Sequence, residues 1–219
     1  MQRVAVIVGA GPGLGAALAR RLGRNGWALA LIARNEQRLT ELGTSLQAAG
    51  VTVGWTAVDV ADALRLAAAV TRFGGFANRI DVLHHNAVAF RSSPATALTA
   101  EQLLADLAVG TAGLLTGLQA ALPFLSSGSL VLATGGGSAD SPMTSAASLG
   151  VQKAALRNLV TAVDRDVRDR GIRAASLTVN GTIADGTPFA PDRIADAVAA
   201  LIDSARSGDS WRTEVAYDG

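Results

Sequence analysis

Four glycines at alternate positions, Gly9, Gly11, Gly13 and Gly15, follow directly on the apolar run Val4 to Val8 and lead into Ala16-Ala-Leu-Ala-Arg-Arg-Leu-Gly23. The apolar run has the continuity of a parallel strand covered on both faces, and the residues after the turn favour a helix. Only Ala10, Pro12 and Leu14 carry a Cβ within the turn, so a ligand can touch the backbone there and the helix can pack close to the strand. Free N–H groups and the positive end of the helix dipole favour a phosphate at the same point. Gly9, Gly11, Pro12, Gly13, Leu14 and Gly15 are therefore the expected cradle for a dinucleotide. A purely structural turn can use the same glycines; the strand before them and the helix after them point to the binding turn.

A second group lies at the end of Trp27-Ala-Leu-Ala-Leu-Ile-Ala33, which continues into Arg34-Asn35. An acidic residue here would receive the ribose hydroxyls of NAD, but the nearest carboxylate is Glu36. A guanidinium suits a 2′-phosphate through charge-assisted, bidentate hydrogen bonds. Arg34 and Asn35, with Arg38 one turn later, thus favour NADP(H) over NAD(H). The alternative is that both arginines are solvated residues opening a helix. Asp59-Val60 closes a third strand, where Asp59 either accepts from an adenine amino group or caps a helix beginning near Ala61.

Such a site needs strands and helices to hold it, and the chain alternates them throughout. Strands are expected near residues 3–8, 27–33, 51–58, 80–85, 128–134, 172–179 and 213–217. Helices are expected near 14–24, 35–49, 61–73, 99–121, 146–170 and 191–205. Right-handed crossovers then give an α/β fold: a single-domain, Rossmann-type, doubly wound parallel β-sheet with helices on both faces, spanning residues 1–219.

Composition narrows the function further. Of 219 residues 49% are hydrophobic and 17% charged, enough for a sizeable core, and a net charge of +1 argues against a nucleic-acid partner. With no cysteine and only the adjacent His84 and His85, neither disulfides nor a metal site is expected. The N-terminal apolar run is short and lacks the sequel of a secretory leader. The stretch from Gly110 to Leu125 is expected to be too short and too polar to span a membrane. A cytoplasmic protein without a membrane partner is the expectation.

Asn86-Ala87 follows the fourth strand, and with it an ordered set is complete: Gly9-x-x-x-Gly13-x-Gly15, Arg34, Asp59-Val60, Asn86-Ala87, Lys153 and Asn180-Gly181. Over essentially its whole length the chain resembles the short-chain dehydrogenase/reductase family. The resemblance implies NAD(P)-dependent redox chemistry on a small molecule, with Asn86-Ala87 beside the adenosine ribose. It implies a homodimer or homotetramer joined through the helices holding residues 110–122 and 148–170. It also implies a catalytic set: a Tyr-x-x-x-Lys pair, a Ser after the fifth strand and an Asn in the preceding helix. In that set the Tyr protonates the substrate oxygen, the Lys lowers the Tyr pKa and holds the nicotinamide ribose, and the Ser hydrogen-bonds the oxygen.

Here Lys153 alone of the four is retained. Leu149 stands at the tyrosine position, Gly135 or Gly136 at the serine and Gly110 at the asparagine. Thr134, Ser138, Asp140, Thr144, Ser145 and Ser148 are the polar residues near enough to rearrange a site, with caps and loop bonds as their ordinary role. A hydrogen-bonded structural role is expected for His85. Asn180-Gly181 takes the place of the family's Pro-Gly turn, where Gly181 supplies a permissive backbone. The residues after it, Ile183 included, would meet the nicotinamide carboxamide, with Thr182 or Thr187 at hand. Only Asp185 to Ala190 then precede the next helix, so the substrate pocket is expected to be open. The residues support an atypical oxidoreductase or, alternatively, a catalytically degenerate nucleotide-binding sensor or partner subunit.

Overall fold

The computed structural model describes residues 2–207 and 211–219. Seven strands form one sheet: β1 (Val4–Val8), β2 (Ala28–Ala33), β3 (Val53–Ala57), β4 (Val82–His85), β5 (Leu130–Gly136), β6 (Arg173–Val179) and β7 (Glu214–Tyr217). The order is β3-β2-β1-β4-β5-β6-β7, and every pairing is parallel. Between the strands run α1 (Leu14–Arg24), α2 (Glu36–Ala48), α3 (Ala63–Ala77), α4 (Ala100–Leu107), α5 (Gly113–Ala121), α6 (Ala147–Val167) and α7 (Pro191–Ser207).

Each strand of the sheet's centre is apolar on both faces because both are covered. Ala5 and Ile7 of β1 pack with Leu18 and Leu22 of α1, Leu39 of α2 and Ile194 and Val198 of α7. Val6 and Val8 point the other way, onto Leu66 of α3, Leu114 of α5 and Leu156 and Val160 of α6. This is the expected doubly wound layer order.

Several boundaries differ from the sequence reading. The third helix starts at Ala63 and ends at Ala77; its N-cap is Asp62, which accepts from Arg65 N at 3.0 Å, while Asn78 ends it in the left-handed region at φ 50°. Asp59 is therefore not the cap: its Oδ1 accepts from Ala61 N at 3.0 Å and shapes the turn before the helix. The single helix expected over 99–121 is two, joined by a π turn at residues 108–112, with a capping box of Thr99 and Gln102 at its start. Together residues 100–124 form a 25-residue run that by length and composition alone is long and apolar enough to cross a membrane. In the fold its Leu114, Leu118 and Ala121 are buried against the sheet. The glycines at 135 and 136 belong to β5 rather than to a loop after it, paired with Thr178 and Val179 of β6.

Candidate functional site

The strand order reverses between β1 and β4, and a crevice opens at the carboxyl ends there. Its two walls are the glycine turn after β1 and the segment after β4. Asn86 joins them: its Nδ2 donates to Gly9 O at 2.9 Å, and its backbone N–H donates to Val8 O at 2.7 Å. Gly9 has φ 94°, and a Cβ there would lie 2.5–2.9 Å from the backbone of Asn86 and Ala87. Gly15 is required for a different reason, since its Cβ would overlap the Gly9 carbonyl. Gly11 and Gly13 face open space, and Gly13 takes φ 93°. α1 begins at Gly13 with no side-chain cap and no acidic residue in its first turn. The space and the uncapped amides occur at one place, so the turn fits a diphosphate.

On the far side of the turn a 360 Å³ recess is lined by Gly9, Gly11 and Pro12, by Arg34, Asn35 and Arg38, and by Val60, Asn86 and Ala87. Arg34 and Arg38 are exposed, and no carboxylate pairs with either guanidinium among the described residues. Asn35 is the N-cap of α2, accepting from Arg38 N at 2.9 Å, so its side chain is already engaged. Val60 is buried in the recess wall, whereas Asp59 is exposed and does not line it.

The other side of the turn opens into a larger crevice of 1170 Å³. Pro12, Gly13, Leu14, Asn86, Lys153, Gly181 and Ile183 all line it, so the residues singled out from the sequence meet there. Lys153 is 8% exposed, and its Nζ donates to Thr134 O at 2.7 Å. Burial pushes its pKa down to about 8. It is the only lysine in a chain with nineteen lysine and arginine residues. That imbalance is a sequence signal for a position that arginine does not fill.

Around Lys153 the side chains that would complete the usual set are missing. Leu149 lines the crevice one helical turn before it. A Cβ on Gly136 would touch the Lys153 side chain at 3.5–3.7 Å, whereas one on Gly135 would press against Thr178, so of the two Gly136 is the glycine that faces Lys153. A Cβ on Gly110 would overlap Gln152 Oε1. Gln152 is fully buried and has taken that space: it accepts from Ala89 N at 3.1 Å and donates to Ala89 O at 2.9 Å and Ser148 O at 3.2 Å. It thereby ties α6 to the segment whose Val88 and Phe90 form one wall of the crevice.

Thr134, for which a cap or loop hydrogen bond was the expected role, instead links the two halves of the site. Its hydroxyl donates to Asn86 Oδ1 at 2.8 Å, so its lone pair must receive the Nε2–H of His84 at 3.1 Å. This assigns the Nε2–H tautomer to His84 and leaves Nδ1 bare. Burial, with His85 and Lys153 nearby, pushes the His84 pKa down to about 3, so the ring stays neutral. His85 is also fully buried and neutral, pushed down to about 4 chiefly by burial and Lys153. Neither of its ring nitrogens has a partner at strict hydrogen-bonding geometry, although the Val109 and Gly110 backbone of the π turn acts on the ring as a hydrogen-bond partner.

The remaining polar candidates divide. Ser138, Asp140 and Thr182 line the crevice; Thr144, Ser145, Ser148 and Thr187 do not. Arg157 binds Asp140 at 2.7 and 2.8 Å and holds its carboxyl below the usual range, so Asp140 is a poor base. Thr187 is used within its own turn, donating to Ala184 O. Gly181 does not need a permissive φ; the Phe189 ring occupies the space of its Cβ. The rim from Asn180 to Asp185 is exposed, consistent with the short connection to α7 and an open pocket. Tyr217 does not line the crevice; its hydroxyl donates to Pro188 O at 2.8 Å. The apolar walls contributed by Val88, Phe90 and Met143 carried no sequence signal, because loop residues have no period to read.

Residues 3–192 match the family model for short chain dehydrogenases. An uncharacterized oxidoreductase of Staphylococcus epidermidis is 32% identical over 216 residues, covering 90% of this chain and 89% of that protein. An alcohol dehydrogenase of the archaeon Thermococcus sibiricus, solved with 5-hydroxy-NADP, is 28% identical with a TM-score of 0.88, covering 99% and 96% of the two chains. A metagenomic short-chain oxidoreductase solved with NADP is 26% identical with a TM-score of 0.86, covering 98% and 96%.

Proposed function

The chain belongs to the short-chain dehydrogenase family, and on that footing we propose that it is an NADP(H)-dependent oxidoreductase acting on a small molecule through a non-standard site. The single observation that carries this reading is the burial of the chain's only lysine, Lys153, in the crevice beside the uncapped glycine turn. The diphosphate would lie on the amides of Gly11 to Gly15, the adenosine half beside Val60, Asn86 and Ala87, and the 2′-phosphate against Arg34 and Arg38. Two solved relatives in complex with NADP or its 5-hydroxy derivative support the choice of nucleotide. The nicotinamide half would fall between Lys153 and the segment Gly181 to Ile183.

A bound nicotinamide supplies hydride transfer; the protein's share is to orient, polarise and protonate. Lys153 places a cation, held by Thr134 O, where negative charge grows on the substrate. Leu149 and Gly136 neither donate a proton nor hold an oxygen. The absence of both is worth about 10²–10⁴ in rate for a missing general acid, so simple ketones are expected to be poor substrates and activated C=C or C=N bonds better ones. The same absence favours a second reading, a cofactor-binding sensor or partner subunit without turnover.

Calorimetric titration with NADPH and NADH, followed by a panel of ketones, imines and enones, separates the two. NADPH binding with turnover on an activated bond supports the enzyme, and NADPH binding without any turnover supports the sensor. Arg34→Ala is expected to weaken NADPH at least tenfold more than NADH, which corresponds to about 1.4 kcal/mol. An equal loss for both nucleotides would refute the phosphate assignment.

A further inference from the structure

Lys153 is more than a cation at the edge of the crevice. Among the described residues its ammonium makes one hydrogen bond, to Thr134 O, and has no carboxylate partner. The titratable groups around it are the neutral His84 and His85 behind the sheet's edge and, across the crevice, Asp140, which Arg157 already engages. The side chain one turn earlier on its own helix is Leu149, which cannot hydrogen-bond to it, and Gly136 opposite carries no side chain at all. The crevice in front of it has apolar walls from Val88, Phe90, Met143, Leu149 and Ile183, with Ser138, Asp140, Asn180 and Thr182 among the polar residues that complete its lining. An amine desolvated among apolar groups, with an open approach, is the arrangement that makes lysine a nucleophile.

We propose that Lys153 is a reactive amine that captures apolar aldehydes entering the crevice, as an imine on its Nζ. The Nζ lone pair forms a C–N bond to the carbonyl carbon, and the C=O π pair moves to oxygen, which takes a proton from nitrogen. The resulting carbinolamine then loses water as its C–O bond breaks and the C=N bond forms. No oxidant or reductant is consumed, and hydrolysis reverses the sequence. The inference rests on the crevice being the substrate site, and it holds whether or not a nicotinamide nucleotide binds.

The depressed pKa gives the effect its size. With a pKa of about 8, roughly a tenth of Lys153 is neutral at pH 7, against about 0.03% for an ordinary lysine, a difference of roughly 300-fold. The folded full-length protein, free of nucleotide, is incubated at pH 7 with benzaldehyde and cyanoborohydride, which traps an imine as a stable secondary amine. Peptide mapping by mass spectrometry then separates label on Lys153 from label on the α-amine. Labelling of Lys153 at least tenfold faster than that of Nα-acetyl-lysine amide, lost in Lys153→Arg and slowed in Leu149→Tyr, is the expected result. Label confined to the α-amine, or Lys153 labelled no faster than the free lysine derivative, overturns the proposal. Because the wild-type rate decides, a variant that fails to fold leaves the test intact. Failure of NADPH to bind in the calorimetric titration would refute the proposed function and leave this inference standing.

Discussion

Restoring the missing proton donor is the most direct test of how the site is read. The double substitution Gly136→Ser and Leu149→Tyr places a hydroxyl and a phenol beside Lys153. The structure has room for both. A Cβ at 136 would meet the Lys153 methylenes at 3.5–3.7 Å, ordinary contact distance, and Leu149 already lines the crevice one turn from Lys153 on the same helix face. The lysine ammonium would stabilise the phenolate and lower the phenol pKa towards the working range. A positioned general acid contributes about 10²–10⁴ in rate, and a donor to the developing oxyanion about 10²–10³. These act as a unit, so a gain of about 10² or more in kcat/KM for small ketones is expected rather than the product. The assay is loss of reduced-nicotinamide absorbance, with NADPH affinity and melting temperature measured on the same preparation. A folded variant that binds NADPH like the parent yet reduces no ketone faster would refute the assignment of positions 136 and 149. Adding Gly110→Asn should reverse part of the gain, because its Cβ would overlap the buried Gln152 amide.

Gly9→Ala forces an alanine to φ 94° with its Cβ 2.5–2.9 Å from the Asn86–Ala87 backbone. Strain of that kind costs about 1–3 kcal/mol before the clash is counted, so a lowered melting temperature together with lost NADPH binding is expected, and an unchanged melt would contradict the packing. Asp164 is 1% exposed and takes hydrogen bonds from Arg173 at 2.9 and 3.2 Å and from Ala174 N at 2.9 Å. Burial alone would raise its pKa, but Arg173, the Ala174 amide and Arg168 outweigh it and hold the carboxyl below its usual range. Asp164→Ala is therefore expected to cost about 1–3 kcal/mol by denaturant melts at pH 7, since it strands the buried Ala174 N–H while Arg173 and Arg168 remain partly exposed, with the difference shrinking as pH falls through the depressed folded pKa. Stability rises with pH at Lys153 as well, but there the buried charge is a penalty below pH 8 that fades between about 8 and 10.5. Lys153→Met should raise the melting temperature of the nucleotide-free protein at pH 7 and change it little at pH 10; equal shifts at both would show that desolvation is not the cause.

The fold was legible because the apolar runs are unbroken where both sheet faces are covered, as in Val4–Val8, and because α1 begins where four glycines end. The start of the third helix was less legible. Near the third helix two aspartates compete, and Asp62, not Asp59, has the spacing to reach a backbone N–H three residues on. The local pattern cannot choose between them, since each makes a bond with its own neighbourhood. Gly135 and Gly136 were read as loop because glycine is depleted in strands; the parallel ladder to Thr178 and Val179 outweighs that preference.

The candidate site was legible on one side of each contact only. The empty positions at 110, 136 and 149 can be counted along the chain, but what replaces them comes from elements far away in sequence. Gln152 fills the space left at Gly110 across a gap of 42 residues, and its partner Ala89 lies 63 residues away. Gly110 sits within the π turn between α4 and α5, and a side chain there would have to displace a buried amide that already has both hydrogen-bonding ends satisfied. A glycine at 110 and a glutamine at 152 are therefore one arrangement rather than two independent changes. It fixes the backbone at Ala89, and through it the positions of Val88 and Phe90 on the crevice wall. The lost asparagine and the apolar pocket thus have a common physical origin, and the pocket's shape follows from a contact that no local pattern in the chain could display.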